Sequence, residues 1–324
     1  MYKRQVHHLN RGRFDPRILG DLVALARARN ARILHVHGYA AADFGRLAAR
    51  RAGAALVLHE HFADPRMPAY QGLADRLLSG LTDRAIAVSG STRDFLVRER
   101  HVPAARVRLI WNGAPLDEFA TAPPGARESL RAAWGLGPDA LAIGTIGRLS
   151  EQKGQRDLLD AAARVVRSEP RARFVLVGDG DLRPTLEAQA SALGLGDRVI
   201  FAGHRTDVPS VLAALDVVCI SSTYEGTPLA LFEAMAAGRA IVSTAVDGCR
   251  EVLAHERTAL LSPARDPAAL ARNLERVLAE ESLRRALGAA AGAESRRYDI
   301  AECVRQIQAL YDEVLAERAR GAAA

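Results

Sequence analysis

The chain has 324 residues, of which 49% are hydrophobic and 25% are charged, a composition typical of globular proteins with one or two domains. No run of 18 apolar residues occurs and no apolar stretch follows the N-terminus, so the sequence predicts neither a transmembrane helix nor a secretory signal. Cys219, Cys249 and Cys303 are odd in number and widely spaced, which favours free thiols in the reducing cytoplasm.

Charge is distributed unevenly. Residues 1–136 carry a net charge of +9 and the remainder carries −3, which together make the chain's +6. A basic half indicates an anionic partner: a lipid-phosphate acceptor, the anionic inner face of a membrane, or nucleic acid. Aromatic residues make up only 5% and do not alternate with basic ones, which argues against nucleic acid. No spacing of cysteine and histidine is typical of zinc, so no metal site is predicted.

Short apolar runs alternate with helical patterns along the chain, which predicts a parallel α/β architecture. The predicted strands are Arg32–Val36, Ala55–Leu58, Ala85–Val88, Val107–Ile110, Leu141–Ile146, Arg173–Val177, Arg198–Phe201, Asp216–Ser221, Ala240–Ser243 and Ala259–Leu261. The predicted helices include Ala41–Arg51, Thr92–Arg100, Arg156–Arg167, Pro267–Glu280 and a final helix over Glu302–Arg318.

Two domains are expected. Thr121–Gly137 is rich in proline and glycine and is predicted to connect an N-terminal domain (residues 1–136) to a C-terminal domain (137–297), which a helix and tail (298–324) follow. The N-terminal domain is predicted to be incomplete, because a helix over Pro16–Arg29 precedes any strand and no Gly-rich turn opens it. Met1–Gln5 is interpreted as a non-native leader joined to a truncated reading frame.

The loop after the strand Leu141–Ile146 has the composition of an anion-binding turn. It contains Gly147, Arg148 and Lys153, and the chain has lysine only at this position and at Lys3. A strand, a Gly-containing basic loop and a helix together are typical of phosphate sites, where arginine forks onto two oxygens and lysine supplies a point charge. The alternative is a pair of ordinary surface cations.

The segment 224–238 places two carboxylates, Glu225 and Glu233, eight positions apart. Thr227 is predicted to cap a helix and Pro228 to occupy its first position, so that Glu225 lies in the loop at the positive end of that helix. Glu233 would lie about 7–8 Å further along the axis. Such carboxylates can accept hydrogen bonds from sugar hydroxyls on either side of a phosphate; the alternative is two solvated surface charges.

Asp179, Gly180 and Asp181 form a D-x-D sequence, a pattern that binds metal in some enzymes of a different fold. They directly follow a predicted strand, where Gly180 suits a turn and Asp181 suits a helix N-cap. We therefore interpret this motif as structural.

Several longer segments carry a family resemblance. They are GRLSEQKG at 147–154, FVLVGDGDLR at 174–183, the stretch 201–244 from FAGHRTDVPS to AGRAIVST, and VDG at 246–248. Looser matches are HVHGY at 35–39, LHEHF at 58–62, AIAVSGSTRDFL at 85–96 and LIWNGAPLDEF at 109–119. Through them the chain resembles the retaining family-four glycosyltransferases of the GT-B fold, which implies two Rossmann-like domains facing across a cleft. The family's opening strand and Gly-rich loop are missing.

The resemblance implies a role for each matching residue. Arg148 and Lys153, beside Gly147, would bind the diphosphate of a nucleotide-sugar donor and stabilise the departing nucleotide. Glu225 would contact hydroxyls of the transferred sugar, and Glu233 would accept from the nucleotide ribose. The remaining donor contacts implied are the backbone at Gly226, Thr227, Pro228 and Leu229 around sugar and phosphate, and His204 and Arg205 against the base.

His61 matches the family's histidine near the reacting sugar, and His59 and His37 are possible substitutes. The implied enzyme is a metal-independent hexosyltransferase without a cofactor, which moves sugar with retention of anomeric configuration to a glycan or lipid-linked acceptor. Two alternatives stay open at this point: an inactive fragment that still binds nucleotide, and a metal-independent nucleotide-sugar epimerase of similar fold.

Overall fold

A computed structural model describes residues 6–12, 14–64 and 67–323. The interpretation of Met1–Gln5 as a leader lies outside these residues. The chain divides into two compact units: one contains the residues up to Ile110 together with those from Arg305 onward, and the other contains Trp111–Val304. All ten predicted strands form, with bounds that differ by at most two residues.

The first unit is a parallel sheet with interleaved helices. Its strands pair in chain order, each parallel to the next. Its elements are α1 (Arg17–Ala28), β1 (Ile33–His37), α2 (Gly38–Ala52), β2 (Ala55–Glu60), α3 (Ala69–Leu78), β3 (Arg84–Ala87), α4 (Gly90–Arg98) and β4 (Val107–Leu109).

The strand β2 is buried along its whole length, as expected for a central strand of a parallel sheet. Side chains alternate along it, so Glu60 points away from His59 and His61. Glu60 pairs with Arg100, which also pairs with Asp75, and burial raises the pKa of Glu60 to about 7. This buried network fixes the carboxyl end of the strand.

The second unit is also α/β, with a six-stranded parallel sheet. Its elements are α5 (Leu116–Ala120), α6 (Ala126–Ala133), β5 (Leu141–Ile146), α7 (Gln155–Ser168), β6 (Ala172–Val177), α8 (Arg183–Ala192), β7 (Val199–Gly203), α9 (Val208–Ala214), β8 (Val217–Ile220), α10 (Leu229–Ala236), β9 (Ala240–Thr244), α11 (Asp247–Val252), β10 (Leu260–Ser262), α12 (Pro267–Ala279), α13 (Glu281–Ser295) and α14 (Ile300–Ala323). The last helix continues from this unit into the first, where Tyr311 contacts His35.

The strand order of this sheet is β10-β9-β8-β5-β6-β7. The chain therefore winds in one direction from β5 to β7 and in the other from β8 to β10. In open parallel sheets the crevice outside the carboxyl ends of the strands at such a reversal is the preferred place for ligands. Here that place lies between the loops that follow β5 and β8.

The division between the units differs from the predicted boundary after residue 136. The segment Trp111–Gly137 belongs to the second unit, because α6 packs against α9. Arg127 and Arg131 both donate to the Asp216 carboxylate, at 2.8 and 3.2 Å. A proline- and glycine-rich composition therefore does not mark a free connection here.

None of the helices in the described part of the chain has the length and the apolar character that crossing a membrane requires.

Candidate functional site

Two loops of the second unit meet at the reversal of strand order. The loop after β5 contains Gly147–Gly154, and the loop after β8 contains Ser221–Pro228. The Thr223 N–H donates to the Gln152 carbonyl at 2.8 Å, and the Ser221 hydroxyl donates to the Lys153 carbonyl at 2.9 Å. These hydrogen bonds hold the two loops side by side.

Two glycines allow this close approach. Gly154 has φ of +64°, and a Cβ there would lie 2.1 Å from the Ser221 carbonyl oxygen. A Cβ on Gly248, at the start of α11, would lie 1.6 Å from the Gly226 carbonyl oxygen. Any larger side chain at either position has to push backbone aside, so these glycines fix how tightly the loop of Glu225 is enclosed.

Lys153 and Glu225 form the central ion pair of the site. Lys153 Nζ lies 2.5 Å from Glu225 Oε1, and their side chains are 24% and 7% exposed. The Ser222 hydroxyl donates to the same carboxylate oxygen at 2.8 Å, and Gln152 Nε2 lies 3.4 Å from the other. The structure thus brings together the predicted phosphate-binding lysine and the predicted sugar-binding carboxylate, which are 72 positions apart in the sequence.

Arg148 lies on the same loop with its side chain exposed to solvent. Its carbonyl accepts from Gln155 Nε2 at 2.9 Å, while its guanidinium has no ion-pair partner among the residues described. Because only the backbone of Arg148 is held in place, its guanidinium can turn and donate two hydrogen bonds to an anion.

The helix α10 begins one residue later than predicted. Pro228, in extended conformation with ψ of 132°, is its N-cap, so Thr227 precedes the cap and Leu229 is the first helical residue. The predicted position of Thr227 as the N-cap is therefore wrong, and the N-cap residue Pro228 makes no side-chain cap hydrogen bond. Instead Thr227 is buried and its carbonyl accepts from Asn112 Nδ2 at 3.0 Å. The N–H groups of a first helical turn are a favourable place for an anion.

Glu233 lies on the second turn of α10 and is partly buried. Burial raises the pKa of its carboxyl. Its side chain has no hydrogen-bond or ion-pair partner in the part of the chain that the structure describes. The alternative interpretation of Glu233 as a solvated surface charge therefore does not describe this partly buried carboxyl.

His204 and Arg205 follow β7 at the edge of the sheet. His204 is exposed, and Arg205 is held by its neighbour Asp207 through two hydrogen bonds of 2.7 and 2.6 Å. The Arg205 guanidinium is thus occupied by a carboxylate of its own loop, which leaves His204 as the freer polar group there.

The D-x-D segment forms a turn against the loop after β5. Leu149 donates its N–H to the Asp179 carbonyl at 3.0 Å, and a Cβ on Gly180 would lie 2.4 Å from the Leu149 carbonyl oxygen. Asp181 is not an N-cap, because α8 begins at Arg183 after Leu182 and has no side-chain cap. The predicted N-cap role of Asp181 is therefore wrong, although the D-x-D segment does form a turn that packs against the loop after β5.

His61 belongs to the first unit, just beyond β2. Its Nε2 lies 2.8 Å from Nδ1 of His37, and its ring stacks on that of His59 with centroids 4.5 Å apart. Burial lowers the pKa of His61. The predicted histidine and both of its possible substitutes therefore lie in one cluster.

Gln152 and Ser222 were not among the predicted site residues. Both lie in the segments that carry the family resemblance, next to Lys153 and close to Glu225 in sequence. Neither has a charge or a distinctive spacing, so only their contacts with the Glu225 carboxylate identify them.

Residues 126–293 match the family model described as Glycosyl transferases group 1, which covers about half of the chain. The chain belongs to this family. Residues 2–118 match a second model, Glycosyltransferase Family 4, so the resemblance to family-four glycosyltransferases is confirmed.

Curated relatives of this glycosyltransferase family are 28% and 30% identical to the chain over the aligned residues. An alpha-D-kanosaminyltransferase of Streptomyces kanamyceticus is 30% identical over 239 residues, which cover 72% of this chain and 59% of the relative. A UDP-Gal:alpha-D-GlcNAc-diphosphoundecaprenol alpha-1,3-galactosyltransferase of Escherichia coli is 28% identical over 246 residues, which cover 72% and 63%. The chain thus spans less than two thirds of the length of either relative.

Solved glycosyltransferase structures confirm the fold of two α/β units with parallel sheets, the GT-B fold. The structure of Anabaena HepE in complex with UDP superposes with a TM-score of 0.82 at 25% identity, covering 91% of this chain and 82% of HepE. Sucrose-phosphate synthase from Thermosynechococcus elongatus, at 23% identity, gives a TM-score of 0.80 over 93% of this chain and 78% of that one.

Proposed function

We propose that this chain is a retaining glycosyltransferase that moves a hexose from a nucleotide-diphosphate-sugar donor to an acceptor. The observation that carries the proposal is the Lys153–Glu225 ion pair at the strand reversal, beside the start of α10. A cation, a carboxylate and a helix N-terminus at one place match the three parts of such a donor: diphosphate, sugar hydroxyls and the charge that develops on the leaving group.

The difficult charge in this reaction develops on the departing nucleoside diphosphate. Arg148, Lys153 and the first N–H groups of α10 supply positive charge and donors that are already in place before reaction. In the absence of donor, Glu225 balances Lys153. When a donor binds, the lysine turns to the diphosphate, and the carboxylate accepts from sugar hydroxyls while Ser222 keeps it oriented. No metal ion and no cofactor is required by this arrangement.

The remaining residues position the donor. Glu233 accepts hydrogen bonds from ribose hydroxyls, which supplies the partner that its partly buried carboxyl lacks. His204 and Arg205 lie against the base, and His61 contacts the reacting sugar. The retaining stereochemistry is supported by the family resemblance. HepE is described in complex with UDP and with UDP-glucose, which supports a uridine nucleotide and a hexose as the first donors to test.

The acceptor is a glycan or a lipid-linked sugar phosphate. The positive charge of the N-terminal half supports an anionic acceptor and a peripheral contact with the inner face of a membrane. Tyr70, Leu73 and Leu77 lie exposed along one face of α3, which would give such a contact an apolar component.

The test is a transfer assay with the full chain, a panel of UDP-, GDP- and ADP-hexoses and a mixture of sugar and lipid-phosphate acceptors, with release of nucleoside diphosphate as the readout. Binding of nucleoside diphosphate is measured in parallel by titration calorimetry. Transfer that is lost in a folded Lys153→Ala variant supports the proposal. Binding without any transfer indicates a nucleotide-binding protein, and interconversion of the donor sugar indicates an epimerase. Absence of both binding and turnover contradicts the proposal.

A further inference from the structure

Four histidines of the first unit form one cluster at the carboxyl ends of β1 and β2. His35 and His37 lie two residues apart on β1, and His59 and His61 are similarly spaced on β2 and just beyond it. Because strand side chains alternate, residues two apart share a face, and the register places His37 directly beside His59. Ring centroids of neighbouring histidines are 4.5 to 5.2 Å apart.

The hydrogen bonds of this cluster leave ring nitrogens unused. Tyr311 on α14 bonds to Nδ1 of His35, while Nε2 of the same ring is buried and has no partner among the residues described. His59 is only 6% exposed, and within the same described part of the chain neither of its ring nitrogens has a partner. Buried imidazole nitrogens normally find a partner, so a ligand that accepts their lone pairs would remove a destabilising feature.

We propose that His35, His37 and His59 bind one divalent transition-metal ion such as Zn²⁺. Each offers a ring nitrogen, and the three nitrogens lie within 4.8 Å of one another. Zinc bound by three histidines at about 2.0–2.1 Å needs nitrogens about 3.4 Å apart, so modest side-chain rotations bring them into place. The fourth position of such an ion is open, as in zinc sites that bind water or substrate.

The chemistry of the cluster favours a metal over an anion. Histidine is mostly neutral near pH 7 and then presents lone pairs, which bind metal ions rather than anions. The Tyr311 hydroxyl orients His35 through the nitrogen opposite the proposed ligand atom, as hydrogen-bond partners of metal-bound histidines commonly do. His37 is exposed, which gives an ion access from solvent.

The proposed ligands lie in the first unit, apart from the phosphate- and ribose-binding residues of the second, although His37 and His59 contact His61. The test uses the full chain without a histidine tag, stripped of metal and titrated with Zn²⁺ by calorimetry, and with Co²⁺ followed by visible absorption. The variants are His59→Gln, which is buried, and His37→Gln, which is exposed and decides the question should His59→Gln fail to fold. The matched control is His101→Asn, an exposed histidine of the same unit.

We expect one Zn²⁺ per chain, and Co²⁺ bands of four-coordinate type that Zn²⁺ abolishes. Removing a hydrogen-bond partner of a metal ligand already weakens metal binding about 10- to 100-fold. Removing a ligand itself, as in either variant, is therefore expected to weaken Zn²⁺ binding at least as much. The control His101→Asn should bind Zn²⁺ as the parent does. Absence of stoichiometric Zn²⁺ binding overturns the proposal. Equal affinity of the parent and a correctly folded His37→Gln variant overturns it as well.

Discussion

Replacing Lys153 by alanine is expected to weaken diphosphate binding and to lower the stability of the fold. Lys153 pairs at 2.5 Å with Glu225, whose side chain is only 7% exposed. Breaking a fully buried ion pair by removing one partner costs about 3–5 kcal/mol. Here the lysine is a quarter exposed and the donors of Ser222 and Gln152 remain, so we expect a loss of about 1–2 kcal/mol in the free energy of unfolding.

The effect on affinity follows from the same contact. Loss of a charged hydrogen-bond donor to the diphosphate is expected to cost about 1.5–3 kcal/mol, which is roughly a 10- to 150-fold increase in Kd. Titration calorimetry with UDP and with uridine separates the two parts of the ligand: the affinity for UDP should fall and that for uridine should stay the same. Adding Glu225→Gln to Lys153→Ala should recover part of the stability, because the unpaired carboxylate is removed, but not the affinity for UDP.

The matched control is Arg156→Ala, an exposed cation three residues further along the chain that pairs with Glu151 at 3.5 Å. Such a surface pair contributes little, so less than about 0.5 kcal/mol of stability and no affinity should be lost. An unchanged Kd for UDP in a Lys153→Ala variant that is folded by circular dichroism would refute the assignment of this loop to the donor phosphates. Equal losses for UDP and uridine would refute the contact with diphosphate in particular.

Four further predictions concern other parts of the molecule. Glu233→Ala should weaken the binding of UDP and of uridine alike, by about 1.5–3 kcal/mol. Because burial raises the pKa of the Glu233 carboxyl, it takes up a proton at a higher pH than an ordinary glutamate, and nucleotide binding should weaken from that pH downwards. Glu233→Gln should lose that pH dependence. Gly154→Ala should destabilise the protein by about 2–4 kcal/mol in urea unfolding, through strain at positive φ plus overlap with backbone, whereas Gly194→Ala, with φ of +68° and open space around it, should cost only about 1–2 kcal/mol. EDTA should leave transfer largely intact; rescue by Mg²⁺ or Mn²⁺ alone would contradict our interpretation of the D-x-D segment, and rescue by Zn²⁺ alone would point to the histidine cluster. At low salt the chain should sediment more with anionic vesicles than with neutral ones. The binding free energies should differ by up to about 1 kcal/mol per basic residue at the surface. Equal sedimentation with both kinds of vesicle would exclude the membrane contact.

Local patterns in the sequence were sufficient to predict all ten strands. Runs such as Leu141–Ile146 are apolar because strands of a parallel sheet are covered on both faces, and that constraint acts on each strand separately. The basic loop after this strand and the helix after it could be predicted for the same reason, since a loop and its flanking elements are neighbours in the chain. Helix starts were less certain: Thr227 is a good capping residue by type, yet packing buries it and moves the start of α10 to Leu229.

Contacts between distant segments depended on the tertiary structure. The reversal of strand order at β5 and β8 brings Lys153 to Glu225, and no local pattern reports which strands are neighbours. The packing of α6 on α9 places Trp111–Gly137 in the second unit, although its composition resembles a linker. The histidine cluster has the same origin. The histidines of each His-x-His motif are two positions apart, which is no typical zinc spacing, and only the register of β1 on β2 places His37 beside His59. The sequence by itself determined which segments become strands, helices and basic loops, because those preferences are local; the fold decided which side chains meet, because neighbours in space are chosen by the packing of the whole sheet.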